Sequence, residues 1–336
     1  MTHELKKIFE AYHKASAQQL KTALATVVAL EGSSYRKPGV RMLISEDGKM
    51  TGAVSGGCVE KEVLRQAQSV FKDNIPKIMT YDGRYRLGCE GILYILIEPF
   101  SPSVSVVDNF QEILKGRKTF QVSAYYEKKD ATNPLFGSMF TLGGTPQVFR
   151  DDFKPDSSLS IFKQNMSPCF QLFIIGAEHD AVQLSSFASK TGWEVTVVAD
   201  VSEEKNISDF PGALDFISCL PEALETEHID HQSAVILMTH SYVKDLKYLL
   251  RLSHTEPVYL GLLGPAKRRE KLLNEFLERH PEVSDSFFDR IYGPSGLNIG
   301  AETPQEIAVA IIAEILSVVR DKEPMMLKNK IGRIHS

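Results

Sequence analysis

Apolar positions change their period along this chain. Leu5, Ile8, Phe9 and Tyr12 recur at i, i+3, i+4 and i+7, which predicts a helix over residues 1–18. Residues 23–30 (ALATVVAL) form an unbroken apolar run, as a buried strand does. Arg41–Ser45 and Met50–Val54 flank Glu46-Asp47-Gly48, a strong hairpin signal. Helical period returns near Cys58 with Val59, Val63, Leu64, Ala67, Val70 and Phe71 on one stripe. Ile92–Ile97 (ILYILI) is a further buried strand. Residues 1–100 therefore read as a small α/β domain. Residues 101–165 read as a connecting segment, partly strand and helix. It holds a helix over Val107–Leu114, strands at Phe120–Tyr126 and Ser138–Leu142, and a polar linker over Asp151–Asn165.

After Pro168 strands and helices alternate. Strand-like runs lie at Phe170–Ile175, Trp193–Ala199, Ala234–Met238 and Val258–Leu263. Helical stretches follow at Ala181–Ala188, Asp245–Leu252 and Lys267–Leu277. Such alternation implies βαβ units and a parallel sheet. The last helix carries a full start signal: Thr303 as N-cap, Pro304 next, Glu306 at the third position. The expected fold is α/β, with a Rossmann-like domain over residues 166–320 and a tail over 321–336.

Composition changes this picture little. The chain has 336 residues, 24% charged and 43% hydrophobic, as an ordinary globular protein does. A net charge of −5 argues against a broadly basic nucleic-acid surface, so no nucleic acid is expected as partner. The N-terminus is charged and amphipathic, and the apolar stretch Ile307–Val319 is broken by Glu314. No membrane span is expected. The four cysteines are far apart and form no CxxC pair. A cytoplasmic setting is the natural expectation.

The first strand of the second half runs into Gly176-Ala177-Glu178-His179-Asp180-Ala181. A dinucleotide-binding turn has glycine at the first and third of these positions, so that backbone and pyrophosphate can approach. Gly176 fits; Glu178 puts a negative charge where phosphate would sit. Asp200 ends the next strand at about the ~20-residue spacing of a ribose-binding acid. Helix capping or a solvated strand end explains it equally well. His240 ends the strand AVILMTH, either facing the same crevice or bonded within its loop. Lys267, Arg268 and Arg269 crowd the start of a helix, where cations oppose the helix dipole. An anionic ligand, an acidic neighbour or a solvated face would account for them.

In the first half, Gly32-Ser33-Ser34-Tyr35-Arg36-Lys37-Pro38-Gly39-Val40-Arg41-Met42 mixes hydroxyls, cations and glycines, the groups an oxyanion requires. Ser55-Gly56-Gly57-Cys58-Val59-Glu60 opens a helix, whose positive end favours a thiolate. Leu87-Gly88-Cys89-Glu90-Gly91 repeats the theme. A lone cysteine is also often a small buried hydrophobe, and Cys169 and Cys219 are read so.

Together these motifs resemble the XdhC/CoxI family of accessory factors for molybdenum hydroxylases such as xanthine dehydrogenase. The family's G-S-S-x-R-x-P-G-x-x-M loop is matched from Gly32 to Met42, and its G-G-C-x-E step by Gly56–Glu60. Met238-Thr239-His240 with Asp245, Gly261–Gly264 with Lys267–Arg269, and Gly293 to Ala308 look like features of its Rossmann-like domain.

The resemblance implies binding of the molybdenum cofactor, help with its sulfuration, and delivery to a xanthine dehydrogenase-type apo-enzyme. It implies a cysteine desulfurase as a second partner, and a carrier in place of an enzyme with turnover. Cys58 is the expected thiolate ligand of molybdenum or sulfur relay, with Cys89 the weaker candidate. The expected cofactor-binding set adds Ser33, Ser34, Arg36, Arg41, Gly56, Gly57 and Glu60 in the first half. In the second it adds Gly176, Glu178, His179, Asp200, His240, Lys267 and Arg268. A homodimer is expected. The alternative is an NAD(P)-dependent oxidoreductase using the Rossmann-like half, which Glu178 disfavours.

Overall fold

The computed structural model of the chain describes residues 1–32, 37–83 and 91–331, with Cys58 described in its backbone alone. Two compact units divide it, Met1–Pro168 and Cys169–Ser336.

The first unit runs α1 (Thr2–Ala17), β1 (Thr22–Glu31), β2 (Arg41–Ser45), β3 (Met50–Gly52), α2 (Cys58–Asp73), β4 (Lys77–Asp82), β5 (Ile92–Pro99), α3 (Val104–Lys115), β6 (Phe120–Tyr126), β7 (Ala131–Thr132), β8 (Gly137–Leu142), β9 (Thr145–Val148) and β10 (Ser160–Met166). Six strands form an antiparallel sheet in the order β3-β2-β1-β5-β4-β7. Alternation along β1 sorts its side chains. Ala23, Ala25 and Val27 join Val59, Val63 and Ala67 of α2 in one core. Leu24 joins α1, α3 and β6 on the other face, and Val28 meets β6 there too.

That other face carries a second sheet, β10-β6-β8-β9. Residues 101–165, expected as a connection, are thus built into the first unit. Phe9 stacks on Phe110 at 4.1 Å, and Phe100 and Phe149 meet it edge-on, which ties α1 to α3 and the second sheet. The expected linker Asp151–Asn165 contains most of β10, whose polar residues suit a strand paired on one side only.

The second unit runs β11 (Gln171–Ile175), α4 (His179–Lys190), β12 (Glu194–Ala199), β13 (Asp215–Ser218), β14 (Ser233–Leu237), α5 (Tyr242–Leu252), β15 (Tyr259–Leu262), α6 (Ala266–Arg279), α7 (Asp285–Phe288), β16 (Ile291–Tyr292) and α8 (Pro304–Val319). All strand pairs are parallel, in the order β13-β12-β11-β14-β15-β16. Numbered within the unit this is 3-2-1-4-5-6, the dinucleotide-fold order, with its reversal between β11 and β14. α4 and α8 cover one face, α5 and α6 the other. The capping box read at α8 is formed: Thr303 Oγ1 accepts from the Glu306 amide, and Glu306 accepts from that of Thr303. Glu314, within this otherwise apolar helix, accepts from the Tyr259 hydroxyl and from the Gly296 amide at 2.8 Å. The loop before α8 is thereby pinned to helix and strand together.

Among the described residues no helix is long and apolar enough to cross a membrane.

Candidate functional site

Antiparallel β1, β4 and β5 bring several loop ends to one end of the first sheet. β1 ends at Glu31 opposite Ile92, and Asp82 of β4 lies opposite the same residue. The Gly83 amide donates to the Gly91 carbonyl at 3.0 Å. Three residues join α2 to β4, so α2 runs back along β4 and starts at this same end. Gly57 is its N-cap at φ +24, a conformation that favours glycine. Among the described residues, a Cβ added at Gly56 or Gly57 would meet nothing within 4 Å. Cys58 is the first helical residue. Ser33, Ser34, Arg36 and Cys89, and the thiol of Cys58, lie outside the described residues and atoms.

Glu60 sits in the first turn of α2 and is buried. Its Oε1 accepts from the Ser55 amide at 2.8 Å, which ties the preceding loop to the helix. Its Oε2 is buried without a hydrogen-bond partner among the described residues. A negative side chain there also offsets the positive helix end.

Arg41 has a different setting. It is buried, and its Nη1 donates to the Gly39 carbonyl at 2.9 Å and to Gln164 Oε1 at 2.7 Å. Burial pushes its guanidinium down to about 10, against the attraction of Glu98. Glu98 is also fully buried and accepts from the amide and hydroxyl of Ser138 at 2.9 and 2.5 Å. Burial pushes its carboxyl up to about 7. Arg41 thus binds β2 to β10 inside the unit and offers no exposed cation to a ligand.

In the second unit, Gly176, Asp200, His240 and Gly264 follow β11, β12, β14 and β15, four adjacent parallel strands. They share the carboxyl edge of the sheet. Gly176 has φ +136, and a Cβ on it would lie 2.4 Å from the Met238 carbonyl oxygen. Glycine is therefore required there by the close approach of β14. Glu178 is the N-cap of α4 without a capping hydrogen bond, and His179 is the first helical residue.

The charged groups of this edge pair with one another. Asp200 Oδ1 accepts from the hydroxyl and amide of Ser202 at 2.5 and 3.0 Å, and these bonds hold its carboxyl below the usual carboxylate range. Lys244, at the start of α5, reaches Asp200 at 3.4 Å and Glu203 at 3.5 Å. His240, at φ +56, places Nε2 3.7 Å from Asp180 of α4. The cationic start of α6 has its acidic neighbour: Arg268 donates to buried Asp245 at 2.6 Å. The other oxygen of Asp245 accepts from the Thr239 hydroxyl and amide. Lys267 is exposed. Among the described residues no group of three or more His, Cys, Asp or Glu is placed to hold a metal ion.

Sequence reasoning passed over Lys244, Asp180 and Tyr81. Lys244 carries the signal used at Lys267–Arg269, a cation in the first turn of a helix. Tyr81 carries no such signal. Its hydroxyl is buried without a partner, which only the packing of β4 against α2 reveals.

Comparison with known proteins follows both units. The family described as "XdhC and CoxI family" matches residues 15–82, and that described as "XdhC Rossmann domain" matches residues 172–315. A Bacillus subtilis (strain 168) protein, named as a probable xanthine dehydrogenase subunit, is 30% identical over 319 residues, spanning 89% of this chain and 93% of its own. The chain belongs to the XdhC and CoxI family. A second XdhC/CoxI-like relative is the molybdenum cofactor insertion chaperone PaoD of Escherichia coli (strain K12). It is 24% identical over 296 residues, covering 88% of this chain and 82% of PaoD. A crystal structure described as a xanthine dehydrogenase from Bacillus halodurans superposes with a TM-score of 0.76 at 27% identity, covering 94% of this chain and 96% of that one. In this XdhC/CoxI chain the first match includes the start of α2, and the second includes the whole carboxyl edge from Gly176 to Arg268.

Proposed function

We propose that this chain binds the molybdenum cofactor as cargo and assists its sulfuration and insertion into a xanthine dehydrogenase-type hydroxylase. Membership of the XdhC and CoxI family and the likeness to an insertion chaperone support the accessory role. The observation that carries it is the start of α2. Among the described residues nothing faces Gly56 and Gly57, Cys58 leads the helix, and a buried carboxylate oxygen of Glu60 lacks a partner. A buried polar atom without a partner costs roughly 1–3 kcal/mol, which a ligand donor recovers. The cargo is a pterin dithiolene with N–H donors and a soft-ligand metal, so an acceptor and a thiol suit it.

In this reading Cys58 holds the metal or relays sulfur from a cysteine desulfurase. Ser33, Ser34 and Arg36 contribute hydroxyls and a cation. The chain acts in the cytoplasm as a homodimer, with the apo-hydroxylase as its second partner.

The test is anaerobic mixing with released cofactor, gel filtration, and assay of the protein peak for molybdenum and oxidised-pterin fluorescence. Stoichiometric co-elution of both is expected, and absence of both from folded protein rejects the reading. Full maturation of the target hydroxylase by Cys58→Ala rejects the thiol role alone. An NAD(P) oxidoreductase is the weaker reading, because Lys244 already pairs with Asp200 and Glu203, and Glu178 stands where the pyrophosphate would sit.

A further inference from the structure

We propose that Glu60 and Tyr81 form a recognition corner for the 2-amino-4-oxo edge of a pteridine ring at the start of α2. The proposal rests on the cofactor-carrier reading and specifies which part of the cargo this end of the sheet takes.

Two polar side-chain atoms here are buried without hydrogen-bond partners, Glu60 Oε2 and the Tyr81 hydroxyl. Glu60 is 9% exposed and Tyr81 is 7% exposed. Helix and strand dimensions put their backbone positions at about the same height. Lys77 at the start of β4 donates to Gln66 and Ser69 of α2, at 2.5 and 3.4 Å. Tyr81 is farther along β4, by about 13 Å at ~3.3 Å per residue. About 13 Å along the antiparallel helix is roughly nine residues, which runs from Ser69 back to Glu60 and from Gln66 back to the N-cap Gly57. Tyr81 also shares its apolar cluster with Val59, the neighbour of Glu60.

A carboxylate accepts hydrogen bonds and a phenol hydroxyl can donate one. A pterin edge presents the complement: the 2-amino group and ring N3–H donate, and the 4-oxo group accepts. A phosphate or an oxo-anion would instead be repelled by Glu60. The first turn of α2 is therefore a poor anion site despite its amides, and the phosphate of the cargo binds elsewhere. The Ser55 amide holds Glu60 Oε1, so the carboxylate is oriented before any ligand arrives.

The test is fluorescence titration of the purified full chain with two metal-free probes, pterin and lumazine, the latter carrying an oxo group in place of the 2-amino donor. The wild type is expected to prefer pterin by roughly tenfold or more, since an acceptor facing an acceptor leaves both unsatisfied. In E60Q the amide can donate to the 2-oxo group, and the preference is expected to fall to about unity. Y81F is expected to weaken both probes about 3- to 10-fold and leave their ratio unchanged. Equal binding of the two probes by the wild type, an unchanged ratio in E60Q, or no binding of either probe overturns the corner. Should E60Q not fold, unchanged affinities in Y81F overturn it. Retention of molybdenum cofactor without a pterin preference rejects the corner and spares the carrier reading; a pterin preference without cofactor retention rejects the carrier reading alone.

Discussion

The start of α2 and the carboxyl edge of the parallel sheet both gather glycines and charged side chains, yet they handle them in opposite ways. At the parallel sheet several of these groups answer to a neighbour, while Lys267 is exposed and Arg269 Nε is buried without a partner among the described residues. Gly176 makes room for the Met238 carbonyl, Asp245 holds Arg268 and Thr239, and Lys244 bridges Asp200 and Glu203. At α2 the glycines face open space, and Glu60 keeps an oxygen unpartnered. Buried polar groups are nearly always paired in native proteins. The fold uses the first set for its own stability, while the second is where the proposed cargo would bind. Charge density alone does not separate the two; partner accounting does.

Substitutions can break this contrast. The largest effect is expected from Asp245→Ala, which strands Arg268 and removes the side-chain acceptor of the Thr239 hydroxyl and amide. A loss of about 3–5 kcal/mol is expected in urea denaturation, as for removal of one partner from a buried ion pair. A loss near zero would mean that the edge is not held by this network. Gly176→Ala comes next, at about 2–4 kcal/mol, from a positive φ and a backbone clash.

Glu98→Gln probes the interior of the first unit. Its folded carboxyl is raised to about 7 from an ordinary 4.5, so the fold prefers the protonated form. Its contribution to stability is fully present below pH 4.5 and is lost as the pH rises through about 7. Melting at pH 5 and pH 8 should show a fall on the order of 2–3 kcal/mol in the wild type. The fall should be largely absent in the variant, and an equal slope in both proteins would exclude Glu98 as its source.

Smaller effects belong to the surface. Lys244→Ala should cost under ~1 kcal/mol, because its partners are partly solvated. Gly56→Ala should change folding stability by less than ~0.5 kcal/mol, since its Cβ enters open space. It should still weaken cofactor retention, and unaltered retention would show that this space is not used.

Much of the architecture was legible in the chain because local signals matched the tertiary outcome. The Thr303–Glu306 capping box, the Asp47-Gly48 hairpin and the apolar run of β5 each specify an element without help from afar. The sheet of residues 120–166 was not legible as such. Its strand β10 is largely polar, and a one-sided strand leaves little hydrophobic pattern. The short strands β13 and β16 carry too few residues for a period to register. Site residues divided along the same line. Cys58 and Glu60 stand in one contiguous motif. Arg41 read as a ligand cation because its partner Gln164 is far away in sequence and nothing local announces it. The link between Tyr81 and the first turn of α2 depends on how β4 packs, again a non-local fact.

The seat of α8 has a consequence for the timing of synthesis. This helix packs against α4, the first helix of its unit, and Glu314 ties it to β15 and to the loop before it. The part of one face of the parallel sheet that α4 leaves uncovered therefore stays bare until α8 has been made. Contacts of such long sequence separation form slowly. The first unit has no comparable debt, since its closing strand β10 is finished at Met166. On a ribosome the first unit can reach its native form while the second unit still exposes apolar surface to whatever guards nascent chains.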